Sequence, residues 1–115
     1  MRRSEDFFSR LAKKKGFPAR SVYKLQDMDE RFRLIRPGAR ILDLGASPGS
    51  WSQYCLRKLQ GHGLVVGVDL KAPSLRGEPS GFRFLQGDIF DPELERKLSE
   101  YAPYDLILSD AAPHT

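Results

Sequence analysis

The run Ile41-Leu-Asp-Leu-Gly-Ala-Ser-Pro-Gly-Ser-Trp51 constrains this chain more than any other stretch. Ile41, Leu42 and Leu44 read as a short buried strand, the glycines at 45 and 49 let the chain bend, and a helical pattern opens at Ser50. A strand that turns at once into a helix is the first part of a βαβ unit. Its glycines let main chain approach a ligand with no Cβ between them, and the helix start offers N–H groups that lack an internal partner. Neither phosphate-binding fingerprint is present. No Gly-Lys-[Ser/Thr] follows the second glycine, and Gly-x-x-x-Gly stands where a dinucleotide site has Gly-x-Gly-x-x-Gly. Asp43 at the strand end suits a ligand with a cationic centre, as S-adenosylmethionine has in its sulfonium and amino groups. The competing interpretation is an ordinary strand–turn–helix whose glycines serve only the turn, and the segment alone leaves the two level.

The rest of the chain follows the same alternation. A strand is predicted over Arg40–Leu44, a helix over Ser50–Leu59 ending at Gly61, and a second strand over Leu64–Leu70. That second strand is apolar almost throughout, as a strand covered on both faces should be. A Pro-, Gly- and Ser-rich loop fills Lys71–Gly81. A third strand follows at Phe82–Gln86, then a helix over Pro92–Tyr101 begun by Asp91, and a fourth strand at Tyr104–Ser109. Strand–helix alternation at this spacing implies right-handed βαβ units, hence an α/β fold with a parallel sheet and flanking helices. Upstream, Ser4 is placed to cap a helix with Glu5 and Asp6 in its first turn and Lys13–Lys15 at its end. A second helix is predicted from Ser21 to about Arg33, with Val22, Leu25, Met28, Asp29 and Phe32 on its core-facing stripe. The break at Pro37-Gly38 divides a basic helical segment, 1–36, from the first half of a Rossmann-like domain, 37–115. The pattern stops just past a buried strand, which reads as a sheet truncated after its fourth strand, with one edge open to self-association.

Charge separates the same two parts. Residues 1–40 hold 12 Lys/Arg against 5 Asp/Glu, whereas residues 41–115 hold 7 against 10. This asymmetry points the amino-terminal part toward a polyanion, although a solvated basic arm has the same signature. Arg2, Arg3, Arg10, Lys13, Lys14, Lys15 and Arg20 are suited to phosphates, and Phe7, Phe8 and Phe17 to core packing ahead of base stacking. No apolar run nears the roughly 18 residues of a membrane span, so no membrane partner is expected. Cys55 is the sole cysteine, which excludes an internal disulfide and a cysteine-rich metal site. It is expected to be a small buried hydrophobe in a cytoplasmic protein. His62 and His114 fit no ligand pattern, and no metal site is legible.

Ligands of open parallel sheets bind at the carboxyl ends of the strands, and each strand here delivers a polar group there. The first brings the Gly45–Gly49 turn and Trp51. The second ends at Asp69, 20 residues after Gly49, where a carboxylate accepts both ribose hydroxyls of a nucleoside. The third ends at Gly87-Asp88, suited to an adenine amine, and the fourth at Ser109-Asp110, where the reacting end of the ligand should lie. Singly, Asp69 and Asp88 read equally as turn caps, Asp110 as a helix cap and Trp51 as core. Four coincident strand-end features favour a cofactor site.

Taken together, Ser21-Val-Tyr-Lys-Leu25, Pro37-Gly38, Asp43-Leu-Gly-Ala-Ser-Pro-Gly-Ser-Trp-Ser-Gln53, Val66-Gly-Val-Asp69, Gln86-Gly-Asp88 and Leu108-Ser-Asp-Ala-Ala-Pro113 resemble the RrmJ/FtsJ family over residues 20–114. Its members are S-adenosylmethionine-dependent ribose 2′-O-methyltransferases acting on RNA. The resemblance implies a Rossmann-like methyltransferase fold and cofactor contacts from Gly49, Trp51, Asp69, Asp88 and Asp110. It also implies that Lys24 and Asp110 belong to a catalytic Lys-Asp-Lys-Glu set, whose second lysine and glutamate have no counterpart before Thr115. A lone Lys24 otherwise reads as a solvated helix residue. The resulting expectation is an RNA ribose 2′-O-methyltransferase domain directed at ribosomal RNA or a ribosomal subunit, incomplete and without turnover by itself. A tRNA or cap substrate, or a non-catalytic cofactor- or RNA-binding module, are the alternatives; a nicotinamide oxidoreductase is disfavoured by the absent fingerprint.

Overall fold

A computed structural model describes residues 22–46, 49–72 and 79–109. The helix predicted from Ser4, the basic arm, Ser47, Pro48, most of the Lys71–Gly81 loop and Asp110–Thr115 lie outside them. Seven elements follow in order: α1 (Val22–Phe32), β1 (Arg40–Leu44), α2 (Ser50–Leu59), β2 (Leu64–Asp69), β3 (Phe82–Gln86), α3 (Pro92–Ser99) and β4 (Leu106–Ser109). The strands form one parallel sheet in the order β3-β2-β1-β4. The central strands are those that read as most apolar. Val65, Val66 and Val68 of β2 and Ile41 of β1 are fully buried because helices lie on both faces.

On one face α1 and α2 pack through Val22, Leu25, Trp51, Cys55 and Leu59 onto Ile41, Val65 and Phe82. On the other, α3 contributes Leu94 against Leu42, Val66 and Val68. Asp91 caps α3 by accepting from the Glu93 amide at 3.0 Å, and Pro92 follows at the first helical position. Three elements are shorter than predicted. β2 stops at Asp69, α3 at Ser99 and β4 begins at Leu106. In each case the lost residues are exposed or half-buried turn residues beyond the last strand pairing or helical bond.

One residue of the predicted core stripe departs from expectation. Val22, Leu25 and Asp29 are buried, but Phe32 is 66% exposed. It is the last residue of α1, and Arg33 then turns the chain with φ of 50°, its amide bonding the Asp29 carbonyl at 2.7 Å. The stripe therefore ends one turn early, and Phe32 borders an open cleft. The outer strands are β3 and β4, and Ile107 of β4 is 60% exposed on the face that carries α3.

Candidate functional site

The turn after β1 is built onto the end of β2. The amides of Gly45 and Ala46 both donate to the Val68 carbonyl, at 2.8 and 2.9 Å, using the two lone pairs of one oxygen. Gly45 takes φ of 73°, and a Cβ there would meet nothing within 4 Å, so the turn presents bare main chain to open space. Gly67 allows this close seating, because a Cβ at 67 would sit 3.0 Å from the Ala46 side chain and 3.1 Å from Phe82. The end of β3 is tied in as well, with the Gly87 amide donating to the Asp69 carbonyl at 2.9 Å.

These three strand ends and that of β4 enclose a cleft of about 230 Å³ lined by Gly45, Asp69, Leu70, Asp88, Ile89 and Ser109, among others. That is below the roughly 300–1,000 Å³ of whole small-molecule sites. Asp69 Oδ1 accepts from the Lys71 amide at 3.1 Å, and Asp88 Oδ1 from the Phe90 amide at 2.9 Å. Turn-capping and ligand-binding interpretations are thus compatible here. In each case a main-chain amide two residues further along the same loop orients the carboxylate.

Two lining residues escaped the sequence reading. Leu70 and Ile89 are 67% and 45% exposed, and each directly follows a strand-end aspartate. Exposed apolar side chains at the rim of a polar cleft suit the faces of a flat heterocycle. The pattern acid-then-aliphatic at two successive strand ends was the available signal.

The other predicted residues are placed differently. Gly49, with φ of 110°, is the residue before the first turn of α2 and provides no side-chain cap, leaving main chain at that helix start. Trp51 is 6% exposed with its ring in the core beneath α2, and neither residue borders the cleft. Asp43 was expected near a cationic ligand, but it is 1% exposed and accepts from Ser52 Oγ at 2.7 Å, so its charge holds the start of α2 to β1. Lys24 is exposed on α1. Phe32, at the other end of α1, borders the amino ends of β1 and β4, and Lys24 stands about 12 Å from it along the helix. Asp110 lies outside the described residues. Cys55 is fully buried as expected, and burial pushes its thiol pKa up. Among the described residues no cluster could hold a metal ion, and no helix is long and apolar enough to cross a membrane.

A parallel sheet in this order, with a glycine turn and two aimed carboxylates at adjacent strand ends, invites comparison with known families. The family model for FtsJ-like methyltransferases matches residues 17–115. The chain belongs to that family. FtsJ-like relatives include the "Ribosomal RNA large subunit methyltransferase E" of Syntrophobacter fumaroxidans, 51% identical over 111 residues covering 96% of this chain and 56% of that protein. The protein of the same name from Treponema denticola is 44% identical over 110 residues, covering 96% of this chain and 55% of the relative. The chain thus spans about half the length of these curated relatives. A crystal structure from Plasmodium falciparum, described as a ribosomal RNA methyltransferase, superposes with a TM-score of 0.73 at 29% identity. It covers 86% of this chain and 58% of that one.

Proposed function

We propose that this FtsJ-like chain is the cofactor-binding part of an RNA ribose 2′-O-methyltransferase that takes S-adenosylmethionine as donor and ribosomal RNA of the large subunit as substrate, in the cytoplasm. The observation that carries the reading is the convergence of Asp69, Asp88 and the bare Gly45 main chain on one cleft. Asp69 would accept from the ribose hydroxyls of the donor and Asp88 from its adenine amine. Leu70 and Ile89 would flank the ring, and Gly49 and Trp51 would contribute main chain at the helix start. The open space over Gly45 is where a donor fits against main chain without displacing a side chain.

When bound, the donor supplies an electrophilic methyl group on sulfur, which passes to the ribose O2′ while sulfur keeps the bond's electron pair. The chain's part is to hold that group in line with a weak nucleophile and to deal with the hydroxyl proton. Lys24 and Asp110 are assigned to that task, with Lys24 toward the substrate oxygen and Asp110 orienting the cationic groups. The support is the family membership together with the exposure of Lys24 on α1.

Calorimetric titration of the chain with S-adenosylmethionine, S-adenosylhomocysteine and NAD tests the donor. Binding of the first two and not the third is expected, and the reverse overturns the reading. The position of transfer is read by digesting RNA carrying labelled methyl with alkali, because a 2′-O-methyl blocks cleavage at its own phosphodiester. Label recovered in ordinary mononucleotides would refute ribose methylation.

A further inference from the structure

At the opposite end of the sheet from the cleft just described, α1 leaves a group of side chains that the fold does not use. Phe32 is 66% exposed. Arg33 and Arg36 are exposed beside it, and among the described residues neither guanidinium has a carboxylate within ion-pair distance. Of the other charges at this end, Glu30 borders a cleft beside Arg33 and Arg36 and accepts from the Gln26 side-chain amide at 3.1 Å. Arg31 pairs with Asp27, and Lys58 stands 3.9 Å from Asp29. The Arg40 guanidinium bonds the Tyr101 carbonyl at 2.9 Å, and Asp105 accepts from the Arg40 amide at 2.8 Å. Arg36 donates through Nε to the Arg33 carbonyl at 3.1 Å, and among the described residues its terminal nitrogens have no protein partner.

Both arginines border two clefts of about 540 and 570 Å³ on either side of the Arg33–Pro37 turn, and Phe32 lines the first. An exposed aromatic ring bordering the same cleft as two guanidiniums without a carboxylate partner among the described residues is the composition that grips a nucleic-acid strand, with phosphates on the cations and an unpaired base on the ring. A protein partner would be expected to meet a broad apolar patch, whereas this end offers one ring and two cations.

We infer that Phe32, Arg33 and Arg36 form a second RNA-contact surface, at the amino ends of β1 and β4, which holds an unpaired stretch of the RNA away from the methyl-transfer site. The surface sets position on the RNA and not the chemistry. It rests on the proposed RNA substrate, and its occupant is the same strand.

Fluorescence anisotropy of the chain with a short labelled single-stranded RNA, measured across a salt series, tests it. Arg33→Gly suits the left-handed backbone at that position, so R33G combined with R36Q removes two cations without straining the turn. The double variant should weaken binding about tenfold at low salt and flatten the log-affinity against log-salt slope by about 1.4, the value for two contacts on a single strand. Phe32→Ala should weaken binding about fivefold or more while leaving the slope unchanged. Unaltered affinity and slope in both variants, or no measurable RNA binding by the parent chain, overturns the inference. Titration with S-adenosylhomocysteine separates the two proposals. If the parent binds RNA through these residues but not the nucleoside, the methyltransferase reading fails and this surface stands; if the variants keep nucleoside and RNA affinity alike, only this surface fails.

Discussion

At the amino ends of the strands, aspartates hold other parts of the chain. Asp29, 4% exposed, accepts from the Ile35 amide at 2.9 Å and the Tyr54 hydroxyl at 3.0 Å, and so joins α1, the following loop and α2. Asp105 accepts from the Arg40 amide across the start of the sheet. At the carboxyl ends, Asp69 and Asp88 each give one oxygen to an amide two residues further along their own loop and border a cleft. One residue type thus has two uses, decided by what surrounds it. An acid that accepts from other elements ties them together, whereas Asp69 and Asp88 are held by a loop amide at the border of the cleft.

That contrast gives an ordered set of expectations. Asp29→Ala strands two buried donors, the Ile35 amide and the Tyr54 hydroxyl. It should cost about 3 kcal/mol in chemical denaturation and leave nucleoside affinity of the folded protein intact. Asp69→Ala should do the reverse, with tenfold or greater loss of S-adenosylhomocysteine affinity by calorimetry and a stability change within about 0.5 kcal/mol. Equal losses in both quantities for either variant would break the division between the two ends. Asp105→Ala leaves one exposed strand amide without its acceptor, and about 1 kcal/mol is expected from thermal unfolding.

The smallest effect near neutrality concerns pH. Burial raises the pKa of Cys55 above the ordinary 9.0, and burial with the Asp29 hydrogen bond raises that of Tyr54 above 10.0. The folded state therefore holds these protons more tightly than the unfolded chain does. Their contribution is complete below about pH 9 and is lost as pH rises beyond it. Melting temperature should be flat with respect to these two groups from pH 7 to 9 and then fall, and Cys55→Ala should delay the fall.

Much of this architecture was legible because local and tertiary preferences agree. β1, α2 and β3 have the predicted bounds, since glycines and prolines punctuate them and their apolar residues match the buried faces. The strand-end rule led to Asp69 and Asp88 because parallel sheets place those ends together. It could not separate Asp43 from them. Asp43 lies one residue inside the strand end, and only the position of Ser52 one helical turn into α2 shows that its charge is enclosed. Trp51 has the same ambiguity, because the helix phase that buries its ring is set by packing on β1 and β2. Leu70 and Ile89 were passed over since exposed aliphatics are common and acquire meaning only beside a cleft.

The doubly bonded Val68 carbonyl has a thermodynamic consequence. Two amides anchored on a single oxygen fix the first bend before any guest arrives, so the guest need not freeze that loop upon entry. Association should therefore lose little entropy from this segment, and amide exchange at Gly45 and Ala46 should be slow already in the apo protein.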